Sequence, residues 1–261
     1  MKKIEQIAAV TTGILILGTG CADRSTTGRS TSTEAGIEYF QPDPNTAVNL
    51  SGLVLFEGKP PENRRISMDA EQACEELGKD SPAYEDKVLV DPESRGLANA
   101  LVYIKTGLEG KTFAPATQAI VLDQKGCQFV PRVVSLRAGQ TLTVRNSDPV
   151  SHNIHPMSSL NREWNQHQAP GADDLQRRFA HPELVIPVKC NVHNWMRSHV
   201  AVFDHPYFTV TSPTGAFRIE HVPPGEYEIA VWHESLGERT QIIHLRPGDP
   251  LDARALEFTF P

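Results

Sequence analysis

The stretch IPVKCNVHNWMRSHV, Ile186 to Val200, spaces a cysteine, a histidine and a methionine three residues apart between two runs that read as strands. Packing alone could account for Cys190 and Met196, which are common core residue types, and for a lone His193 beside them. A thiolate, an imidazole and a thioether are also, taken together, a ligand set for a soft, redox-active metal ion. The rest of the chain has to decide between these readings.

Outward from that loop the pattern is β. SGLVLFEG, ANALVYIKT, TQAIVLDQ, VVSLRAGQTLTVRNSD, ELVIPVKC, HVAVFDH, YFTVTSPTGAFRIE, YEIAVW and TQIIHL are short runs rich in Val, Ile, Phe and Tyr, separated by Gly, Pro, Asn and Asp clusters. That is the signature of antiparallel β-sandwiches, so the fold class read from the sequence is all-β. Only MDAEQACEELGK, Met68 to Lys79, reads as a helix. Two hairpins are expected, one turning across Arg137–Gln140 with Gly139 and one across Ser212–Gly215. No internal repeat is visible.

The first 21 residues place Lys2 and Lys3 ahead of an apolar run from Ile7 to Leu17 and small residues before Cys21. The run is too short to span a bilayer and reads as an export signal. Its end resembles the lipobox of bacterial lipoproteins, which implies acylation of Cys21 and a lipid-membrane anchor; simple cleavage and an uncleaved anchor are the alternatives. Residues 22–47 begin with a Ser/Thr/Gly-rich tether without apolar periodicity. The expected location is the periplasm or cell envelope. A formal net charge of -7 and the lack of a Lys/Arg run exclude a nucleic-acid footprint. In an oxidising compartment spare thiols pair. With Cys21 acylated or removed, Cys74 and Cys127 would form a disulfide and Cys190 would stay free, as a metal ligand would.

A second histidine source lies in TLTVRNSDPVSHNIHPM, where a strand ends in Asn146 and His152 follows with Asn153 behind it. Cys190-x-x-His193-x-x-Met196 with Ser151-His152-Asn153-Ile154 resembles the cupredoxins, and the loop spacing is that of amicyanins. The resemblance covers roughly Ala116 to Asp204, with Ser151 where the family has proline. It implies a Greek-key sandwich holding one copper ion, Cu(I)/Cu(II), through His152, Cys190, His193 and Met196, with Asn153 bracing the two ligand loops. Zinc would accept Cys and His but has no use for a thioether. A two-copper centre would need two cysteines in the loop. His155 and His199 are expected near the site without being ligands; His167, His181, His205, His221 and His233 are expected at the surface.

The last third resembles the regulatory-like domain of carboxypeptidases and its transthyretin-like relatives, on Gly215 and the turn Val222-Pro223-Pro224-Gly225-Glu226-Tyr227. The missing strands of such a domain have counterparts far upstream, from Ser51 and from Ala98. The implied layout is a discontinuous small sandwich, 48–113 plus 206–261, into which the copper domain, 114–205, is inserted, or else a small sandwich that follows the copper domain.

The function expected from these features is an exported type 1 (blue) copper protein carrying single electrons between redox partner proteins of the cell envelope. Copper binding and delivery without redox cycling, or an interaction module with a structural metal, are the alternatives. No enzyme is expected: His233-Glu234 has no nucleophile or oxyanion arrangement beside it. By the same resemblance His193 would reach the surface through an apolar docking patch of Val192, Trp195, Pro156 and Met157.

Overall fold

Runs of β-branched and aromatic residues bounded by turn formers become strands almost throughout the computed structural model, which describes residues 36–249 and 254–261. In chain order these are β1 (Val48–Phe56), β2 (Leu101–Thr106), β3 (Ile120–Gln124), β4 (Phe129–Val130), β5 (Val133–Arg137), β6 (Thr141–Asn146), β7 (His152–Pro156) and β8 (Gln166–Gln168). They continue with β9 (Leu175–Arg178), β10 (Glu183–Lys189), β11 (Arg197–Phe203), β12 (Phe208–Val210), β13 (Ala216–Val222), β14 (Gly225–His233), β15 (Gly237–Leu245) and β16 (Arg254–Phe260). One helix, α1 (Gln72–Asp80), starts four residues later than the sequence predicts. The export signal and Cys21 lie outside the described residues. The strands and α1 belong to one unit, Glu38–Pro261.

Four sheets form two sandwiches. Sheets β13-β1-β16 and β12-β2-β14-β15 enclose one core, which includes Leu50, Val54, Ile104, Ile219, Ile229 and Phe260. Sheets β5-β11-β10-β7-β8 and β4-β3-β6-β9 enclose the other, which includes Leu122, Leu136, Val144, Ile154, Ile186 and Val200. The first strand, β1, pairs antiparallel with β13 and parallel with β16, so the upstream SGLVLF run closes a sheet with strands from the chain's far end. Gly96 and Gly215 allow this closure: a Cβ on Gly215, which sits at φ +77°, would lie 2.4 Å from the Val54 carbonyl oxygen and 2.6 Å from the Gly96 Cα.

The sandwiches are joined by a third apolar layer. On β2, Val102 and Ile104 face the first core, while Leu101 and Tyr103 face the joining layer. On β11, Val200 and Val202 face the second core while Ala201 and Phe203 join the same layer, together with Val133 and Ala230. Phe203 stacks on Phe208 at 4.5 Å between ring centroids and lies 5.3 Å from Tyr103. Arg132 and Glu234 form a bidentate, partly buried ion pair between the second sandwich and the end of β14.

Several expectations change. Neither expected hairpin pairs its arms: β5 pairs with β11 while β6 pairs with β3 and β9, and β12 pairs with β2 while β13 pairs with β1. Both turns are arches that carry the chain from one sheet of a sandwich to the other. Alternation could not reveal this, because both arms face one core in an arch as in a hairpin. The stretch expected to be a tether is ordered near its end, where the Phe40 N–H donates to the Thr112 carbonyl at 2.6 Å and the Phe40 ring packs edge-on against Phe113. His205 and His233, expected at the surface, are buried at 8% and 1% exposure, and burial pushes each down to about 4.

Because β2, β11 and β14 are buried on both faces, the sandwiches should unfold together. Phe203→Ala should lower stability by about 3–5 kcal/mol and keep a single transition. Urea unfolding followed by tryptophan fluorescence checks this, since Trp195 packs against the second core and Trp232 against the joining layer; two separated transitions would contradict it.

Candidate metal centre

The site forms where two turns of the second sandwich meet. After β6 the side chain of Asn146 ties the following turn, its Nδ2 donating to the Val150 carbonyl at 2.9 Å and its Oδ1 accepting from the Asp148 N–H at 3.1 Å. This turn delivers His152 as the first, fully buried residue of β7. The second turn, residues 190–196, closes between the paired ends of β10 and β11, Lys189 and Arg197. Inside it the Met196 N–H donates to the His193 carbonyl at 3.0 Å and the Cys190 N–H to the Met196 carbonyl at 3.3 Å. Cys190, His193 and Met196 are therefore all turned inward, at 1%, 2% and 1% exposure.

The donor atoms converge. His152 Nδ1 and His193 Nδ1 are 2.9 Å apart, Cys190 Sγ is 3.8 Å from His193 Nδ1, and one donor atom from each residue lies within 4.8 Å of the others. An ion bonded at about 2.0 Å to nitrogen and about 2.3 Å to sulfur needs nearest donors about 3.4–3.7 Å apart at trigonal angles, so a small opening of this cluster accommodates one. The Asp148 carboxylate accepts from His152 Nε2 at 2.8 Å. The proton of a neutral His152 thus sits on Nε2 and the Nδ1 lone pair faces Cys190 and His193. Asn153 links the two turns, with its Oδ1 accepting from the Asn191 N–H at 2.6 Å and from the Cys190 thiol at 3.2 Å.

Electrostatics favour a thiolate. Burial raises the Cys190 thiol, but the His152 ring and the backbone N–H groups of Asn153, His193 and Val192 outweigh it and bring it below the ordinary value. Burial likewise opposes charge on Asp148, yet hydrogen bonds from His152, Cys127 and Gly126 hold its carboxyl below the usual range. For His152, burial is outweighed by Asp148 and Cys190, which raise it. Burial and the neighbouring His152 lower His193.

Cys127 is not a further ligand despite lying beside Asp148 and His152, because its sulfur is bonded to Cys74. That disulfide was expected from cysteine counting; its position against the site was not. Cys74 Sγ lies 3.8 Å from His193 Nε2. Cys74 belongs to α1, within the segment that connects β1 to β2 of the other sandwich, and Met68, Ala73, Leu77, Ala83, Cys127 and Val150 pack round it. This segment roofs the ring edge of His193.

The expected docking patch therefore does not assemble. His193 does not reach the surface and Pro156 is buried, while Met157 is half-buried and Val192 is 60% exposed on the loop. Trp195 packs inward against both the roof and the second core, its Nε1 donating to the Cys127 carbonyl at 3.0 Å. His155 hydrogen-bonds Glu163 and lies 3.3 Å from Asn191 Oδ1; His199 packs 5.3 Å from the Trp232 ring; neither joins the donor cluster. Asp148 and the roof are what the sequence reading missed. Asp148 lies four residues before His152, a spacing that could have signalled it.

No protein-family model matches the chain, and no curated protein matches it. Solved structures do. A reduced amicyanin variant is 21% identical, covering 39% of this chain and 97% of its own, at a TM-score of 0.30. A purple cupredoxin from Nitrosopumilus maritimus is 22% identical over 32% of this chain and 97% of its own, at 0.27. A copper-containing nitrite reductase from Thermus scotoductus SA-01 is 15% identical over 38% of this chain, at 0.31, and the match spans only 25% of that protein's length. The chain has cupredoxin neighbours over part of its length.

Replacing Cys74 and Cys127 together by Ala should lower stability by about 2–4 kcal/mol and open the roof, so that the otherwise shielded His193 becomes reactive toward an imidazole-modifying reagent. Thermal denaturation and peptide mapping of modified histidines check the two effects separately.

Proposed function

We propose that His152, Cys190, His193 and Met196 hold one copper ion and that the protein carries single electrons between partners in the cell envelope. The observation that supports this best is the convergence of two buried imidazole Nδ1 atoms and a free, buried sulfur, with Met196 buried on the same loop. Thiolate, imidazole and thioether donors suit Cu(I) and Cu(II), and copper held by them would supply a one-electron couple. The chain's own groups do the rest. Asp148 fixes the tautomer and orientation of His152, Asn153 fixes the spacing of the two turns, and the disulfide-tied roof excludes water from His193. A ligand set held this way moves little between two charge states.

Delivery of copper is the weaker reading, because a site whose ligands are all buried under a covalently tied roof offers no ready exit. The export signal, Cys21 acylation and a redox partner protein remain parts of the proposal that rest on the sequence. In the same reading the other sandwich, with its transthyretin-like strand succession, is the scaffold that carries the roof.

Copper-loaded protein should show strong visible absorption from thiolate-to-copper charge transfer, bleached reversibly by a mild reductant. Cys190→Ser should abolish it, since serine offers no thiolate, and Asp148→Asn should weaken metal affinity by roughly 10–100-fold. Colourless stoichiometric zinc in the native protein, or an unchanged spectrum in Cys190→Ser, would overturn the assignment.

A further inference from the structure

With the His193 edge roofed, an electron needs another way to the surface. Two adjoining clefts of about 260 and 500 Å³ open beside the site and share Ile66, Arg132, Trp195 and Arg197 as walls; the smaller reaches Met196 at its floor. Trp195 is the link between site and cleft: its ring lies 5.1 Å from the His193 ring, tilted by 36°, and its Nε1 is anchored on the Cys127 carbonyl. The proposed ligand Met196 and this aromatic neighbour of His193 thus open onto the same surface feature.

The charge around that opening differs from the rest of the chain. Arg65, Lys87, Arg132 and Arg197 line the clefts. Arg132 is held by Glu234 and Lys87 by Glu85, which also lines the wider cleft. The Arg65 side chain donates to the Gly78 carbonyl, the Arg197 side chain makes no hydrogen bond among the described residues, and Asp86 is the further carboxylate that lines the smaller cleft. A positive opening on a chain of net charge -7 selects for an anionic visitor.

We propose, building on the copper reading above, that electrons enter and leave through Trp195 at this cleft, and that the partner docks there with a carboxylate-bearing surface. The step is a one-electron transfer from copper(I) to the docked oxidant, or the reverse, with no bond made or broken. Trp195 is a positioning residue for the route and Arg197 a recognition residue at its mouth.

The test uses the full-length, copper-loaded, reduced protein and two small oxidants of opposite charge, hexacyanoferrate(III) and tris(phenanthroline)cobalt(III), in stopped flow at low salt. Arg197→Glu should slow the anionic probe by about tenfold or more without slowing the cationic one. Trp195→Leu should slow both, and Trp195→Phe should restore most of the rate, with copper content and colour retained in each. Val192→Glu, on the exposed part of the metal loop, should change neither. If Trp195→Leu does not fold, Arg197→Glu and Val192→Glu decide alone. Coloured variants in which Val192→Glu slows exchange and Arg197→Glu does not would overturn the route and leave the copper reading standing. A colourless wild-type protein would overturn the copper reading and the route together.

Discussion

The N–H, the carbonyl and the sulfur of Cys127 are all engaged at the candidate metal centre. Its N–H donates to the Asp148 carboxylate at 2.8 Å, its carbonyl accepts from Trp195, and its sulfur is bonded to the cysteine that abuts His193. It lies in the turn Lys125–Gln128 between β3 and β4, whose central residues Gly126 and Cys127 both take positive φ, +64° and +55°, as a type I′ hairpin turn requires. A non-glycine residue there costs about 1 kcal/mol, and the left-handed turn is what points two successive N–H groups at one carboxylate. Asp148 accepts from Gly126 at 2.6 Å as well as from Cys127. The orientation of His152 thus depends on the turn, and the shielding of His193 on the bond made from it.

This arrangement makes the centre the product of both sandwiches. The ligands come from the second sandwich, while the roof comes from the connection between β1 and β2 of the first. The roof could not stay closed if the sandwiches moved apart, and the apolar layer of Leu101, Tyr103, Val133, Ala201, Phe203 and Ala230 keeps them together. The Arg132–Glu234 pair ties the same two bodies at the layer's edge, close to the cleft that Arg132 lines. Packing far from the ligands therefore governs access to them.

The convergence of His152, Cys190 and His193 was legible because its information is local. Cys190, His193 and Met196 share one tight loop, and the strand-ending Asn146 with His152-Asn153 behind it is a short pattern of chemistry-bearing residues. The roof was not legible. Residues 57–96 carry little periodicity, and nothing in DAEQACEELG says which surface Cys74 will cover, although counting cysteines gave its partner. The arches at Arg137–Gln140 and Ser212–Gly215 were misread because a period of two reports which face is buried, not which strand lies alongside. LVYI in β2 and VAVF in β11 hold a different signal: an apolar run without alternation marks a strand buried on both faces, and these two runs flank the joining layer. His205 and His233 were placed outside because their sequence neighbours are polar, but His233 ends β14, where neighbours point to opposite faces, and His205 sits in the turn after β11 with its ring against Phe203 and Phe208.

The roof covers the ring edge of His193, whose Nε2 lies 3.8 Å from the Cys74 sulfur. Closing that edge removes the shortest exit and leaves the larger tilted ring of Trp195 as the neighbour through which the centre meets the cleft. The position is constrained on three sides: the indole must reach the Cys127 carbonyl, pack against the roof cluster around Cys74 and Cys127, and keep its ring beside His193. Trp satisfies all three because it combines a large apolar body with a single N–H donor at its rim. The sequence places this residue two positions after one proposed ligand and immediately before another, so the loop that gathers the donors also fixes the aromatic side chain beside them. In the proposed docking mode, specificity would be set at the cleft, where Arg65 and Arg197 bring positive charge.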